Sequence, residues 1–284
     1  MLALLYSCLS PAQVQPLRIT LVLSESGGAY QEFSAALQGN IAARHKLQIA
    51  DAGAPIQDAD LVVAVGMKAA SAAATITQPV LNVFVPRAGF DKLPRAASHV
   101  FSAIYMDQPL ERQLALISSV FPGYPDVGVL YATPPAELEE LRRLSATRRF
   151  KLHEQAVDRK HPVASALSDL LEESEVLFVL PDAQVYNSNT IRNILLETYR
   201  KQVPMVGISP SYVRAGALCA VYSTPLQIAK QAADAIEQFA SSGRLPASQY
   251  PTEFDVSLNI QVARSLGLVI KDAEILRMEI RRKQ

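Results

Sequence analysis

From Leu17 onward the chain alternates two kinds of segment, and this alternation restricts its fold more than any other feature. Short apolar, β-branched runs are separated by longer stretches with helical character. The strand candidates are Arg18–Leu23, Leu47–Ala50, Leu61–Val65, Val80–Phe84, Val100–Ile104, Val127–Tyr131, Lys151–Ala156, Val176–Leu180, Met205–Ile208 and Leu218–Tyr222. The helix candidates are Tyr30–Arg44, Pro109–Phe121, Pro135–Arg149, Pro162–Glu173, Val185–Lys201 and Pro225–Ser241, with a small Ala-rich helical stretch after Gly66. Runs that are apolar throughout predict strands covered on both faces, hence parallel sheets with helices on either side. Ten strands exceed one comfortable doubly wound sheet, and two sheets of about five strands each suit the length better. No stretch reads as a long flexible linker, so short crossovers join the two lobes and the chain passes between them more than once.

Proline marks where several helices open. Pro109, Pro135, Pro162 and Pro225 stand at expected first turns, where a missing N–H costs nothing. His161-Pro162 and Thr224-Pro225 therefore mark strand-to-helix loops. In open α/β sheets the loops at the carboxyl ends of strands face the ligand crevice. Those loops are Ser24–Ala29, Gly66–Lys68, Val85–Phe90, Tyr105–Gln108, Ala132–Pro135, Pro181–Tyr186, Ser209–Arg214 and Tyr222–Pro225.

Composition narrows what the loops can hold. Lys and Arg total 27 and Asp and Glu total 27, so no basic surplus argues for nucleic acid. "SESGGAY" after the first strand lacks GxGxxG spacing and the P-loop Lys-Ser/Thr, and "VGMKAAS" is no nucleotide motif either. The two cysteines, Cys8 and Cys219, form no CxxC and support no metal cluster; Cys219, in the apolar run "GALCAVY", reads as a small buried hydrophobe. His45, His99, His153 and His161 lie beside neither a Cys nor a GxSxG elbow, and each reads as a surface residue. Asp182, in "LFVLPDAQVYNSNT", follows an apolar strand directly. It either caps the next helix or accepts hydrogen bonds from a ligand's amine or hydroxyl. Aromatic residues at loop edges, among them Tyr30, Phe84, Tyr131, Tyr186, Tyr212 and Tyr222, offer apolar faces with polar tips that suit a small ring-bearing or aliphatic ligand.

The N-terminus, "MLALLYSCLSPAQVQP", holds an apolar stretch over Leu2–Leu9 that resembles the core of a secretory signal, without the usual Lys/Arg preceding it. "LYSC" loosely resembles a lipoprotein cleavage box with Cys8 as the acylated residue. Export is the expectation, with a mature chain that begins between Cys8 and Gln15.

Five segments together resemble the substrate-binding proteins of ABC importers, in the group typified by a tryptophan or aromatic amino acid binder. They are "ADLVVAVGMKAASAA", "FSAIYMDQPLERQLALISSVFPGYPDVGVLY", "VLFVLPDAQVYNSNTIRNILLETYRKQVPMVG", "VRAGALCAVYSTPLQIAKQAADAIEQFASSGRLPASQYP" and "FDVSLNIQVARSLGLVI". The resemblance spans Arg18 to Gly267. It implies a type I periplasmic-binding fold of two doubly wound parallel-sheet lobes joined by a hinge. Residues 17–105 with 213–247 would form the N-terminal lobe and 106–212 with 248–284 the C-terminal lobe, after a signal-like or lipoprotein-like segment over 1–16. The implied function is capture of a small organic ligand in an inter-lobe cleft for a membrane permease, with no catalysis and no metal or organic cofactor. Carried by position, the ligand-binding residues are Ser24, Ser26, Met67, Lys68, Asp107, Tyr131, Asp182, Ser209 and Tyr222. This sequence departs from the family at Met67, where a small hydroxyl residue is common. Two rivals stand beside this reading. One is a cytosolic ligand-sensing module, disfavoured because no helix-turn-helix precedes Arg18. The other is a two-lobed α/β enzyme such as a glycosyltransferase, disfavoured because no nucleotide motif or acid/base pair stands out.

Overall fold

The computed structural model describes residues 15–283 except 42, 57, 95–99, 124 and 149. The apolar stretch Leu2–Leu9 with Cys8, and His99, lie outside the described residues. In chain order the first elements are β1 (Arg18–Leu23), α1 (Gly28–Ile41), β2 (Lys46–Asp51), β3 (Leu61–Val65), α2 (Met67–Ala73), β4 (Val80–Val85), α3 (Arg87–Phe90) and β5 (Phe101–Tyr105). Then come α4 (Leu110–Val120), β6 (Asp126–Tyr131), α5 (Leu138–Arg148), β7 (Lys151–Ala156), α6 (Val163–Glu172), β8 (Val176–Phe178) and α7 (Ile191–Arg200). The chain continues with β9 (Met205–Gly207), α8 (Pro210–Ala215), β10 (Cys219–Tyr222), α9 (Pro225–Ser242), β11 (Asp255–Leu258), α10 (Ile260–Ser265) and α11 (Ala273–Lys283).

Two compact units result. Unit 1 comprises the chain up to Met106 and Pro225–Gln249; unit 2 comprises Asp107–Thr224 and Tyr250–Gln284. The return crossing thus follows Thr224, not residue 212 as the sequence suggested. The reason is β10, which pairs in parallel with β9 through Cys219–Val206 and so keeps residues 213–224 in the second sheet.

Unit 1 holds a five-stranded sheet in the order β2-β1-β3-β4-β5, with every pairing parallel. Unit 2 holds a six-stranded sheet, β11-β10-β9-β8-β6-β7, parallel except where β11 runs against β10. Read from its first strand, unit 2 repeats the order of unit 1 and adds β11 at the edge. β11 escaped the sequence reading because it is four residues long and only Val256 is buried.

The apolar runs become central strands because both faces are covered. In unit 1, Leu21, Val63 and Leu81 face Phe33 and Leu37 of α1 and Ile228, Ala232 and Ile236 of α9. Val22, Val62 and Val80 face Ala69 and Ala73 of α2 on the other side. In unit 2, Val127, Phe178 and Val206 lie under Leu114 and Ile117 of α4 and Leu276 and Ile280 of α11. Leu130, Leu177 and Met205 lie under Leu167 and Leu170 of α6 and Ile194 of α7. Cys219 is fully buried among these side chains, and burial pushes its thiol up to about 12.

Some local readings change for stated reasons. α7 begins at Ile191 rather than Val185. The Asn187 side-chain oxygen takes the Asn189 N–H, and the Thr190 hydroxyl takes the Asn187 N–H, so this stretch forms turns in place of a helix. α5 begins at Leu138, three residues past Pro135. His45 is not a surface residue: α9 covers it, its Nδ1 accepts from Leu17 N at 3.2 Å, and its Nε2 lies 3.4 Å from Glu237. His153 is also largely enclosed, its ring nitrogens 2.7 Å from Asp126 and 3.0 Å from Glu173. His161 is exposed.

Near the crossings, unit 2 contains a buried cation. Arg112 of α4 donates from Nη1 to Gln108 Oε1 at 2.7 Å and to the Pro251 carbonyl at 2.8 Å, and its guanidinium sits 4.3 Å over the Phe254 ring. Gln108 Nε2 donates to the Ser223 hydroxyl, which donates to the Glu253 carbonyl. The three segments that adjoin the crossings, at 108, 223 and 251–253, are therefore lashed together inside unit 2. Burial lowers the Arg112 pKa to about 10, which leaves it charged at neutral pH. Replacing Arg112 by Met keeps much of the apolar stem and strands the Gln108 and Pro251 oxygens. We expect a loss of about 2–4 kcal/mol of stability in urea unfolding followed by circular dichroism.

Candidate functional site

The strand order sets where each unit can hold a ligand. β1 is flanked by β2 and β3, and its counterpart β6 by β7 and β8. The chain therefore leaves the first strand of each unit in opposite directions, which creates a switch point between β1 and β3 and another between β6 and β8. Crevices outside the carboxyl ends of strands open at such points.

In unit 1, Ser24 and Ser26 follow β1, and Met67 and Lys68 follow β3. Gly66 connects β3 to α2 with φ 84°, a left-handed conformation that glycine adopts without a Cβ penalty. Close approach requires glycine here as well. A Cβ on Gly66 would lie 2.7 Å from Ser24 Oγ and 2.8 Å from the Tyr30 hydroxyl. Gly66 has no side chain to cap α2, and Ser24 supplies the cap from the neighbouring strand: its buried Oγ accepts from Ala69 N at 3.0 Å. Met67 is half-buried, with its sulfur packed over Gly89 of α3, while Lys68 and Ser26 are exposed. Ser26 lines an open depression of about 300 Å³ together with Glu25, Gly27, Gly28, Ala29 and Tyr30.

A bulge in β4 shapes the same edge. Pairing with β5 shifts between Val83 and Val85, leaving Phe84 as an extra residue at φ 54°. A left-handed conformation costs a non-glycine residue about 1–2 kcal/mol. Leu81 and Val83 face α1, and unbroken alternation would turn Phe84 to the α2 side. The bulge returns it to the α1 side, where its ring stands edge-on to Phe33 at 5.4 Å and to Tyr30 at 6.0 Å.

In unit 2 the switch point is closed by a carboxylate. Asp182 Oδ2 accepts from Ala132 N at 2.8 Å and Thr133 N at 3.4 Å; Oδ1 accepts from Gln184 N at 2.8 Å. Asp182 thus ties the loop after β8 to the loop after β6 and turns its own loop; it does not cap the next helix, α7, which begins only at Ile191. Tyr131, at the end of β6, is buried, and its hydroxyl donates to Glu154 at 3.3 Å. Glu154 in turn accepts both arms of Arg142, at 2.8 and 2.7 Å, which holds its carboxyl below the usual carboxylate range. Glu154 therefore contributes stability above its unfolded pKa of about 4.3, lost as pH falls through the lower folded value. Ser209 is the N-cap residue of α8, with no capping bond from its side chain. Tyr222 is partly buried at the end of β10, opposite Asp255 of β11, and burial raises its hydroxyl pKa. Asp107 opens unit 2 and is partly buried.

The structure therefore brings Ser24, Ser26, Met67 and Lys68 to one edge of unit 1, and Tyr131, Asp182, Ser209 and Tyr222 to strand ends of unit 2. Tyr131 and Asp182 are held by protein partners there. Tyr30, which the sequence marks only as one aromatic among several, stands at the unit 1 switch point. Among the described residues no group of three or more His, Cys, Asp or Glu could hold a metal ion, and no helix is long and apolar enough to cross a membrane.

The model of the family described as ABC transporter substrate binding protein matches residues 34–279. The chain belongs to this family. Solved structures share its type I periplasmic-binding fold at low identity. A ligand-free, open substrate-binding protein with adhesive properties from Clostridium difficile aligns at 15% identity with a TM-score of 0.73, covering 91% of this chain and 97% of that one. An ABC domain from Streptococcus pneumonia in complex with L-Trp aligns at 15% identity and TM-score 0.64, covering 93% and 98%. A conserved domain protein from Vibrio cholerae aligns at 22% identity and TM-score 0.62, also covering 93% and 98%. The comparison with curated proteins gave no match.

Replacing Asp182 by Ala frees the Ala132 and Gln184 N–H groups and uncouples two loops. A loss of about 1.5–3 kcal/mol is expected, as for hydrogen bonds to a charged group. Chemical denaturation of Asp182→Ala against wild type measures it. An unchanged midpoint would show that these bonds add nothing to stability.

Proposed function

We propose that this substrate-binding protein serves an ABC importer: exported from the cytoplasm, it captures a small organic ligand and delivers it to a membrane permease. The ligand is partly apolar, an amino acid or a related aromatic compound. Neither nucleic acid nor an organic cofactor takes part, and the chain catalyses no reaction on what it carries. Delivery requires the permease to distinguish loaded from empty protein, and so requires the ligand to favour one conformational state.

The observation that carries this reading is the duplicated strand order, which gives a chain of this family two switch-point edges. The chemistry of those edges supports an organic ligand. Met67 and Tyr222 are partly buried side chains with apolar surface at strand ends. Neither β1-to-α1 nor β3-to-α2 has the sequence of a phosphate cradle. The pneumococcal structure with L-Trp supports an aromatic amino acid as the first compound to test. Met67 takes volume and removes a hydroxyl where the family commonly has a small hydroxyl residue, which favours apolar contact at that position.

Two measurements test the proposal. Mass spectrometry of material released from purified, denatured protein should find a small organic compound in molar proportion to the chain. Thermal-shift screening of amino acids, aromatic acids, nucleobases and sugars should find one class that raises the melt. At a concentration near 100 times Kd the gain is about 2.7 kcal/mol. A shift with phosphate or nucleotides alone would overturn the ligand class, and no released compound with no shift would overturn capture itself.

A further inference from the structure

The unit 1 edge carries two hydroxyl groups that both crowd Gly66. Ser24 Oγ and the Tyr30 hydroxyl both approach the bare Cα of Gly66, to 2.7 and 2.8 Å of where a Cβ would stand. Ser24 Oγ already accepts from Ala69 N, so its own hydrogen is left to donate. No described residue accepts a hydrogen bond from either hydroxyl. Tyr30 is half-buried, and burial, followed by the charge of Glu25, raises its pKa, so it stays protonated at neutral pH. The Tyr30 hydroxyl still reaches solvent, so a ligand oxygen can take the place of the water to which it would otherwise donate.

The ring that carries this hydroxyl is held in place. Phe84 meets it edge-on, and Phe84 reaches the α1 side only through the left-handed bulge in β4. Phe33 braces Phe84 from below. A strained residue persists where surrounding contacts over-determine it, and such positions cluster at ligand sites. Here the strained residue fixes the orientation of a phenol that lines the Glu25–Tyr30 depression.

We infer that Tyr30 is a specificity-determining residue of the ligand site: its hydroxyl, which lines the depression, donates to an oxygen acceptor on the ligand. The inference rests on the proposed binding function and names the group that unit 1 reads. A carboxylate fits best, because a charged acceptor makes the stronger hydrogen bond with a phenol and brings no hydrogen of its own. Exposed Glu25, on the rim of the same depression, disfavours a ligand that carries only negative charge and suits one that also bears an amine.

The test uses three probes on the full chain: L-tryptophan, tryptamine, which lacks the carboxylate, and indole-3-propionate, which lacks the amine. Calorimetric titration of wild type should rank L-tryptophan first and tryptamine last. Tyr30→Phe removes only the hydroxyl and leaves the ring against Phe84. It should weaken L-tryptophan by about fivefold to tenfold, leave tryptamine unchanged, and keep the melting temperature of the free protein. Phe84→Leu, which releases the ring without touching the hydroxyl, should weaken L-tryptophan in the same direction. L-tryptophan affinity unchanged in Tyr30→Phe would overturn the inference and leave the binding function standing. Wild type that binds none of the three would also overturn it; the released-ligand measurement then decides separately whether the binding function falls with it.

Discussion

A parallel strand cannot turn back beside its neighbour, so the chain must cross over one face of the sheet before the next strand begins. Everything else in this fold depends on that constraint. It makes the central strands a buried layer and leads the chain to supply a helix for most crossovers, the link from β2 to β3 being an exception. It is met here with an exchange. The helix after β5, α4, covers the sheet of unit 2 beside α11, and the helix after β10, α9, returns to pack along α1 of unit 1. Neither core is closed by one contiguous stretch of chain.

The exchange explains the buried Arg112. Where chain segments cross from one unit to the other, backbone carbonyls such as those of Pro251 and Glu253 have no regular ladder to join. Arg112, Gln108 and Ser223 satisfy them with side chains. A guanidinium has several donors in a fixed plane and can rest its face on Phe254 while its edge binds oxygen.

The two switch points, alike in topology, differ in chemistry. At β6 and β8 the carboxylate of Asp182 occupies backbone N–H groups and fastens the loops to each other. At β1 and β3 Ser24 caps α2, a bare glycine admits two hydroxyls, and donors remain. At one edge a carboxylate is committed to its own loops, whereas at the other two hydroxyls have no acceptor among the described residues. Residues carried over by position accordingly stand in unlike surroundings. Asp182 and Tyr131 have protein partners; Ser26 and Lys68 are exposed; Tyr30, absent from that set, lines the depression after β1.

The local sequence by itself determined most strands: central runs such as β1 and β3 are apolar on both faces, whereas the edge strand β7 is mostly polar. β1, β3 and β7 match their sequence boundaries residue for residue, and the doubly wound class follows from their alternation with helices. It also determined Gly66 as the end of β3 and Pro225 as the start of α9, since backbone dihedral preference travels with the residue. Only the tertiary structure decided what depends on partners distant in sequence. His45 is buried because α9 arrives over it from nearly two hundred residues away. β11 becomes a strand because β10 offers an edge. Phe84 faces Tyr30 because β5 pairs around a bulge that no periodicity in β4 reveals. A residue's own chemistry states what it can do; which group stands opposite is set by packing, and that choice placed the free donors at Tyr30 and the satisfied carboxylate at Asp182.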